Sequence, residues 1–406
     1  MSVQHAAPVT SSTVVVAVDV GKTTVALSVT DAGRSRLFGP VDFPMTRPGL
    51  AGVLAEVLRA LPGGGRVKVG VEAAGHYHRP LTAPSAWPPG WEILELNPAH
   101  VAEQRRVAGR RRVKTDAIDL EAITELVLAG RGVPVCARDD VFGELAGWAG
   151  LRRRRIATRT ATKNQMLSQL DRSFPGLTLV LPDVLSTQVG YLILAEFTAP
   201  ARLAALGSTR FRRFAANRGL RVSRPMADRL VQSARDALPT PDAGVARRML
   251  AADLALLADL NVQINAADTE LARLVPASPF APLMSVPGWG FVRAGTYGAA
   301  VGDPDRWPGH RQVYRASGLT PSQYESAGKR RDGSITREGS VALRRSLIDL
   351  GIGLWQFDKP SRAYAADLKA RSKPGGIIAC AMANRANRIA YALVRDQDTY
   401  DPARWT

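Results

Sequence analysis

A pair of aspartates directly after a basic run is the feature of the sequence that most resembles a chemical site. Asp116 and Asp119 open a predicted amphipathic helix, in which positions i and i+3 share one face. Two like charges on one face repel each other, so they require a counter-ion, either a nearby cation or a divalent metal. A solvated helix start, where aspartate is favoured by the helix dipole, is the alternative interpretation. The basic run that precedes the pair contains Arg110, Arg111, Arg112 and Lys114.

Two further acids each end a predicted strand. Asp19 follows a β-branched run that begins at Thr13, and Glu72 ends an alternating strand that begins at Arg66. In open α/β sheets, ligands bind at the carboxyl edge of the strands. Carboxylates gathered there beside cations suit Mg²⁺- or Mn²⁺-assisted phosphodiester chemistry, whereas the alternative is a set of unrelated surface acids.

The elements that must position these acids are predicted in the order β-β-β-α-β-α-β-α between residues 13 and 134. That order predicts a mixed sheet with flanking helices. Two other patterns in the chain do not carry the function. Gly21-Lys22-Thr23 lacks the upstream glycine of a P-loop, because Val16 stands there, and the further motifs of an actin-like ATPase are absent.

The four acids resemble a known catalytic tetrad. Asp19, Glu72, Asp116 and Asp119 are similar to the Asp-Glu-Asp-Asp set of RuvC-like, ribonuclease-H-type domains. The motif Lys-Thr-Asp-x-x-Asp and the dipeptide Asn97-Pro98 resemble those of the transposases of the insertion sequence 110 family, which includes the Piv-type invertases. This resemblance implies that the tetrad is catalytic and binds Mg²⁺ or Mn²⁺.

A second block, between Gly318 and Leu347, resembles the C-terminal domain of the same family. There the serine after Tyr-Glu links covalently to DNA, which implies that Ser326 is the nucleophile. Ala327 stands where the family usually has glycine. From the residues alone, three other serines are rivals: Ser322, Ser334 and Ser340. The cations that the block could offer to phosphate are Lys329, Arg330, Arg331, Arg344 and Arg345.

The middle of the chain is predicted to be helical and basic. Residues 142–170 form one predicted helix, and an apolar seam between Leu250 and Leu274 predicts a second. The two helices could pair as an arm or a dimer coiled coil, or belong to a plain bundle. The segment 175–242 between them is predicted to be an inserted helical segment. We expect phosphate contacts from the cations of the first helix, namely Arg152, Arg153, Arg154, Arg155, Arg159 and Lys163.

Composition agrees with a nucleic-acid partner. The chain has 406 residues and a formal net charge of +18, which favours binding to a polyanion. Only two cysteines occur, Cys136 and Cys380, which fits a reducing cytosol. The resemblance further implies a bacterial cytoplasmic protein that associates with the nucleoid when active. No apolar run is long enough to predict a membrane segment, and residues 1–12 lack the features of a signal peptide and are expected to be a disordered leader.

Together these features predict a RuvC-like α/β domain at 13–134, a helical, coiled-coil region at 135–275, a mostly α transposase domain at 276–395 and a tail at 396–406. The resemblance implies a recombinase that acts on donor and target DNA, is guided by a bridge RNA from its own element and works as a dimer or tetramer. Two alternatives are a RuvC-like nuclease that hydrolyses DNA without serine covalency, and a non-catalytic nucleic-acid-binding protein.

Overall fold

The computed structural model of the protein describes residues 13–62, 65–109, 115–135, 140–326 and 329–405. The predicted leader lies outside these residues, as does the basic run at 110–114. The chain divides into two compact units, with the boundary after Arg138.

The first unit is built on a mixed sheet, as the sequence predicts, and the sheet has a sixth, two-residue strand beyond the five predicted ones. Its strands lie in the order β3-β2-β1-β4-β5-β6, with β1 antiparallel to β2 and parallel to β4. The strands are β1 Thr13–Val20, β2 Thr24–Asp31, β3 Arg36–Pro44, β4 Arg66–Glu72, β5 Glu92–Leu96 and β6 Val133–Pro134. The helices are α1 Arg47–Ala60, α2 Arg79–Thr82, α3 Pro98–Val107 and α4 Asp116–Leu128.

Helices cover both faces of this sheet because successive β1 side chains point to opposite sides. Val14, Val16 and Val18 belong to one core, which also contains Val53 and Val57 of α1. On the other face, Val15 and Ala17 pack with residues of α4, including Leu120 and Ile123. A strand that is buried on both faces explains the continuous β-branched run in the sequence.

The second unit is almost entirely helical. Its elements are α5 Asp140–Ser173, α6 Leu177–Val180, α7 Gln188–Glu196, α8 Pro200–Ala216, α9 Arg224–Asp236, α10 Ala243–Leu274, α11 Phe291–Val301, α12 His310–Ala316, β7 Pro321–Ser326, β8 Lys329–Ile335, α13 Val341–Phe357, α14 Lys359–Ala370 and α15 Gly375–Asp396. Within the described residues, no helix combines the length and apolar character needed to cross a membrane.

The long helices α5 and α10 pack against each other and connect two cores. At one end, Leu145 of α5 and Leu271 of α10 belong to a core that also contains α11, α13 and α15. At the other end, Leu170 of α5 and Leu250 of α10 join a separate core formed with α6–α9. The two helices therefore form an intramolecular arm with a folded helical cap at its far end.

Candidate active site

Asp19 and Glu72 lie side by side at the carboxyl ends of two neighbouring parallel strands. The last register pair between β1 and β4 is Val18 with Val71, so the two acids follow at the same level on adjacent strands. Both residues are half-buried. This placement is the one that the strand pattern predicts.

The side chains of these two acids lie on the sheet face that α4 covers. Asp19 lies two residues after Ala17, and Glu72 lies two residues after Gly70. Within each pair the two residues therefore face the same side of the sheet. A Cβ atom at Gly70 would lie 2.6 Å from Val127 Cγ2 and 3.0 Å from Ile123 Cγ2. Glycine at position 70 therefore allows α4 to approach the sheet closely.

Helix α4 is oriented so that its first turn points towards the acidic edge of the sheet. Val127 and Leu128, at the end of α4, line a cavity together with Thr13 and Lys68, which lie near the starts of β1 and β4. The helix therefore runs antiparallel to these strands, and its N-terminus lies towards Asp19 and Glu72. The start of α4 is fixed by Thr115, whose Oγ1 accepts a hydrogen bond from Ile118 N at 3.4 Å.

The two aspartates of α4 occupy different environments. Asp116 is exposed, whereas Asp119 is only 2% exposed. Arg105 of α3 lies with its Nε 3.1 Å from Asp119 Oδ1, an electrostatic contact rather than a well-aligned hydrogen bond. No sequence pattern marks Arg105, because its nearness to Asp119 follows from the packing of α3 on α4.

The donor chemistry of this edge fits a hard divalent cation, since Mg²⁺ and Mn²⁺ prefer oxygen ligands. Asp19 and Glu72 supply two carboxylates at one level, and the first turn of α4 faces them. The described residues nevertheless contain no group of three or more acidic, histidine or cysteine side chains arranged to hold a metal ion. Arg105 supplies positive charge to Asp119 in this arrangement.

The predicted phosphate-binding cations of α5 divide into two groups. Arg152 pairs with Asp268 of α10, and Arg159 Nη1 donates a hydrogen bond to Asn261 Oδ1 at 3.1 Å. Lys163 Nζ donates to the carbonyl oxygen of Leu185 at 3.1 Å, and Arg155 is half-buried. Only Arg153 and Arg154 are exposed. Arg152 and Arg159 therefore connect α5 to α10, and the two exposed arginines remain suited to contact phosphate.

Ser326 is the last residue of β7, at the turn of a two-stranded hairpin. It pairs in register with Lys329 of β8, and residues 327–328, which include Ala327, lie outside the described residues. The side chains of Ser326, Lys329, Arg330 and Arg331 are likewise outside the description. The neighbouring Tyr324 is 68% exposed, so this end of the hairpin is open to solvent.

The base of the hairpin is fixed to the helical core. Arg337 N donates to Gly318 O at 3.0 Å, and Ser340 N donates to Ala316 O at 2.8 Å. Arg344 Nη1 donates to Ser317 O at 2.9 Å, so this predicted phosphate ligand also has a structural partner. Arg345 is exposed.

Two of the rival serines have structural roles. Ser322 Oγ donates a hydrogen bond to Ser334 O at 3.1 Å, across the hairpin. Ser340 Oγ caps α13 by accepting a hydrogen bond from Leu343 N at 3.2 Å. Ser334 is exposed. The hydroxyls of Ser322 and Ser340 are thus engaged in hydrogen bonds that stabilise the fold.

The glycine-rich turn before α11 has a packing role. Trp289 is buried and donates its indole N–H to Leu350 O at 2.8 Å. Gly288 has a φ of +81°, and a Cβ there would meet Phe357 at 2.5 Å. These contacts explain why glycine stands at position 288 and how the turn holds α11 against α13.

Comparison with known proteins gives two family matches in chain order. A family described as Transposase, of the Asp-Glu-Asp-Asp IS110 type, matches residues 16–175. A second, described as Transposase IS116/IS110/IS902 family, matches residues 281–366. The first match contains the four acids, and the second contains Ser326.

Individual relatives agree with these matches. The y4pF/y4sB protein of Sinorhizobium fredii is 32% identical over 36% of this chain and 39% of its own length. The transposase for insertion sequence element IS1111A of Coxiella burnetii is 32% identical over 29% of this chain and 33% of its own length. The insertion element IS900 42 kDa protein of Mycobacterium paratuberculosis is 25% identical over 72% of this chain and 74% of its own length. The matched region thus covers only about a third of the length of each of the first two relatives.

Proposed function

Because the chain belongs to the insertion sequence 110 family of transposases, we propose that it cuts and rejoins the DNA of an insertion sequence through a covalent serine–DNA intermediate. The observation that carries this proposal is the position of Ser326 at the solvent-exposed end of the β7–β8 hairpin. Its rivals Ser322 and Ser340 are engaged in hydrogen bonds that stabilise the fold.

The proposed reaction is a transesterification in two balanced steps. Ser326 Oγ gives up its proton and bonds to a DNA phosphorus, while the bond from that phosphorus to a deoxyribose oxygen breaks and the departing hydroxyl gains a proton. A hydroxyl of the joining strand then attacks the same phosphorus and releases the serine. One phosphoester replaces another at each step, so no ATP is needed. Lys329, Arg330 and Arg331 follow the serine closely in sequence and are suited to stabilise the anionic transition state.

The metal assigned to this reaction is Mg²⁺ or Mn²⁺, with Asp19, Glu72, Asp116 and Asp119 as its ligands. A divalent ion there would lower the pKa of a coordinated hydroxyl and polarise the scissile phosphate. Asp19 and Glu72 support the assignment because they occupy adjacent strand ends at one level. A bound ion would replace Arg105 as the positive charge that compensates Asp119.

The family also motivates proposals for partners and location. We assign donor and target DNA as substrates, a bridge RNA as guide, a homodimer or homotetramer as the active assembly, and the bacterial cytoplasm and nucleoid as the location. The formal net charge of +18 agrees with nucleic acid partners. Phosphate contacts are sequence-independent, so base pairing by a guide would supply the specificity that the side chains do not.

The experiment that tests the chemistry is detection of a protein–DNA adduct that survives denaturation. Wild-type protein, with RNA co-purified, is mixed with element-end DNA and separated under denaturing conditions. Ser326→Ala should reduce the adduct by about 10³-fold or more, because the nucleophile is lost. Ser322→Ala is the matched control on the same strand and should retain the adduct. Equal adduct from Ser326→Ala and wild type would refute the proposal.

A second candidate is a metal-dependent nuclease that uses water as the nucleophile. The adjacency of Asp19 and Glu72 favours it, because that pair could support metal-assisted hydrolysis without any serine. The same experiment separates the candidates. Under the nuclease alternative, Ser326→Ala cuts DNA at the wild-type rate and no adduct forms with either protein.

A further inference from the structure

The helical cap at the end of the arm carries an arginine surface that the proposed chemistry does not use. The cap has its own core, which includes Phe174, Phe197, Phe211 and Leu230, all of them fully buried. Two edge-to-face aromatic contacts, from Phe197 to Phe211 and to Phe214, stiffen this core. The surface residues of α8 and α9 are therefore presented on a rigid body.

The charge on this body is strongly one-sided. Between residues 200 and 235 the chain has nine arginines, no lysine and a single acid, Asp228. Some of these arginines have partners in the cap. Arg202 and Arg218 both pair with Glu196, and Arg224 pairs with Asp228. Those pairs use Glu196 and Asp228.

Three of the six other arginines define a surface that we call the α8–α9 arginine surface: Arg210, Arg213 and Arg221. All three are exposed, and none forms an ion pair with an acid among the described residues. Arg210 and Arg213 lie one turn apart on α8, opposite the buried Phe211 and Ala215, and Arg221 lies in the loop between α8 and α9. Like charges at this density repel each other unless a polyanion neutralises them.

The exclusive use of arginine indicates phosphate rather than a general anion. A guanidinium offers planar, paired N–H donors that match two phosphate oxygens, and it keeps its charge at any physiological pH. Exposed guanidinium groups spread over α8 and the loop after it fit a continuous phosphate backbone better than an isolated ligand.

The length of the arm favours duplex DNA as the polyanion. About 20 residues of α5 separate its contacts with the two cores, so the cores lie roughly 30 Å apart at 1.5 Å per residue. One turn of B-form DNA is about 34–36 Å. The separation of the two cores thus corresponds to about one turn of a DNA duplex.

We propose that the α8–α9 arginine surface binds the backbone of duplex DNA, about one helical turn from the DNA contacted by the core that anchors the β7–β8 hairpin. This inference rests on the proposed function, which makes DNA the substrate. The contact is independent of base sequence, because its partner is phosphate. Its role is to align the duplex along the arm.

The test compares the binding of full-length protein to random-sequence DNA duplexes of 10, 20 and 30 base pairs by fluorescence anisotropy. The test variant is Arg210→Gln/Arg213→Gln/Arg221→Gln. The control variant, Arg371→Gln/Arg395→Gln/Arg404→Gln, loses the same charge from arginines that are paired with Asp367, Asp396 and Asp398. Arg213→Gln alone is a milder variant for use if the triple variant is poorly folded.

We expect the test variant to lower the slope of log K against log salt by about 2.7 on the 30-base-pair duplex, at about 0.9 per lost phosphate contact. The wild-type protein should also bind the 20-base-pair duplex at least 10-fold more tightly than the 10-base-pair duplex, because the longer duplex reaches both the cap and the core that anchors the hairpin. The test variant should lose this gain in affinity. The control variant should keep the gain. Arg213→Gln should lower the slope by about one unit.

Either of two results would overturn the inference. The first is a salt slope and a dependence on duplex length equal to those of the control variant. The second is a loss of binding seen only with an RNA duplex of equal length, which would make RNA the partner. The same measurement on Ser326→Ala protein should match wild type. Binding by the cap is thus scored without the covalent chemistry, so failure of one proposal does not imply failure of the other.

Discussion

Asp119 of α4 lies beside Arg105 of α3, with Arg105 Nε 3.1 Å from Asp119 Oδ1 and the aspartate side chain 3% exposed. An acid of the predicted tetrad is thus buried next to a cation from a neighbouring helix. Burial of a carboxylate requires such compensation. Arg105 accordingly supports the position of Asp119 in the ion-free protein.

Removal of this cation should destabilise the protein. Arg105→Met should lower the free energy of unfolding by about 2–3 kcal/mol, because the charge of a buried acid loses compensation. Arg106→Met is the matched control, since its side chain is 59% exposed and near Glu103, and it should change stability by less than about 0.5 kcal/mol. Urea unfolding measures both. Equal effects from the two substitutions would show that Arg105 does not compensate Asp119.

Divalent metal should stabilise the protein through the acidic edge of the sheet. At a Mn²⁺ concentration 100 times the Kd, the free energy of unfolding should rise by about 2.7 kcal/mol. Asp19→Asn should remove most of this increment. Asp42→Asn, an exposed position on β3 of the same sheet, should retain it. A Mn²⁺ increment that persists in Asp19→Asn would place the ion elsewhere.

The close approach of α4 to the sheet should depend on Gly70. Gly70→Ala places a methyl group 2.6 Å from Val127 Cγ2, so α4 must move and the protein should lose about 1–3 kcal/mol of stability. Gly52→Ala on α1 is the contrasting control, because a Cβ there meets nothing within 4 Å. It should stabilise the protein by about 0.5–1 kcal/mol. A neutral Gly70→Ala in thermal or urea unfolding would contradict this packing.

The arginines of α5 should separate into binding and structural residues. Arg153→Gln/Arg154→Gln should lower the salt slope of DNA binding by about 1.8, from two lost phosphate contacts, with little change in stability. Arg152→Gln should instead cost about 1 kcal/mol of stability, because it loses its partner Asp268 across the arm. Anisotropy and urea unfolding on the same samples separate the effects. An unchanged slope in the double variant would show that Arg153 and Arg154 do not contact phosphate and form only a solvated face of the helix.

The sheet and its acidic edge were predictable because they depend on local patterns. The β-branched run from Thr13 requires burial on both faces, and the structure confirms it as the central strand β1. Asp19 and Glu72 each follow such a run, so their level on the sheet follows from the parallel pairing of β1 and β4.

Other features depend on contacts between distant segments and leave little local signal. Arg105 has no special spacing to Asp119, and Arg152 meets Asp268 only because α5 and α10 pack together. The described side chains of the β7–β8 hairpin are mostly exposed, and its sequence lacks the apolar alternation of a buried strand, so its pattern predicts no strand pair. The basic run of α5 likewise does not reveal that Arg152 and Arg159 contact α10, because those contacts depend on how the two helices pack.

The measurement that tests the central claim most directly is the identification of the serine that carries DNA. After the reaction, nuclease digestion leaves a nucleotide on the protein, and trypsin separates the candidate sites. Cleavage after Arg315 and Lys329 yields a peptide with Ser317, Ser322 and Ser326, whereas Ser334 and Ser340 fall in later peptides. We predict that tandem mass spectrometry will place the nucleotide on Ser326. A nucleotide on Ser334 or any other residue would contradict the account, as would DNA that is cut and rejoined without any nucleotide-bearing peptide.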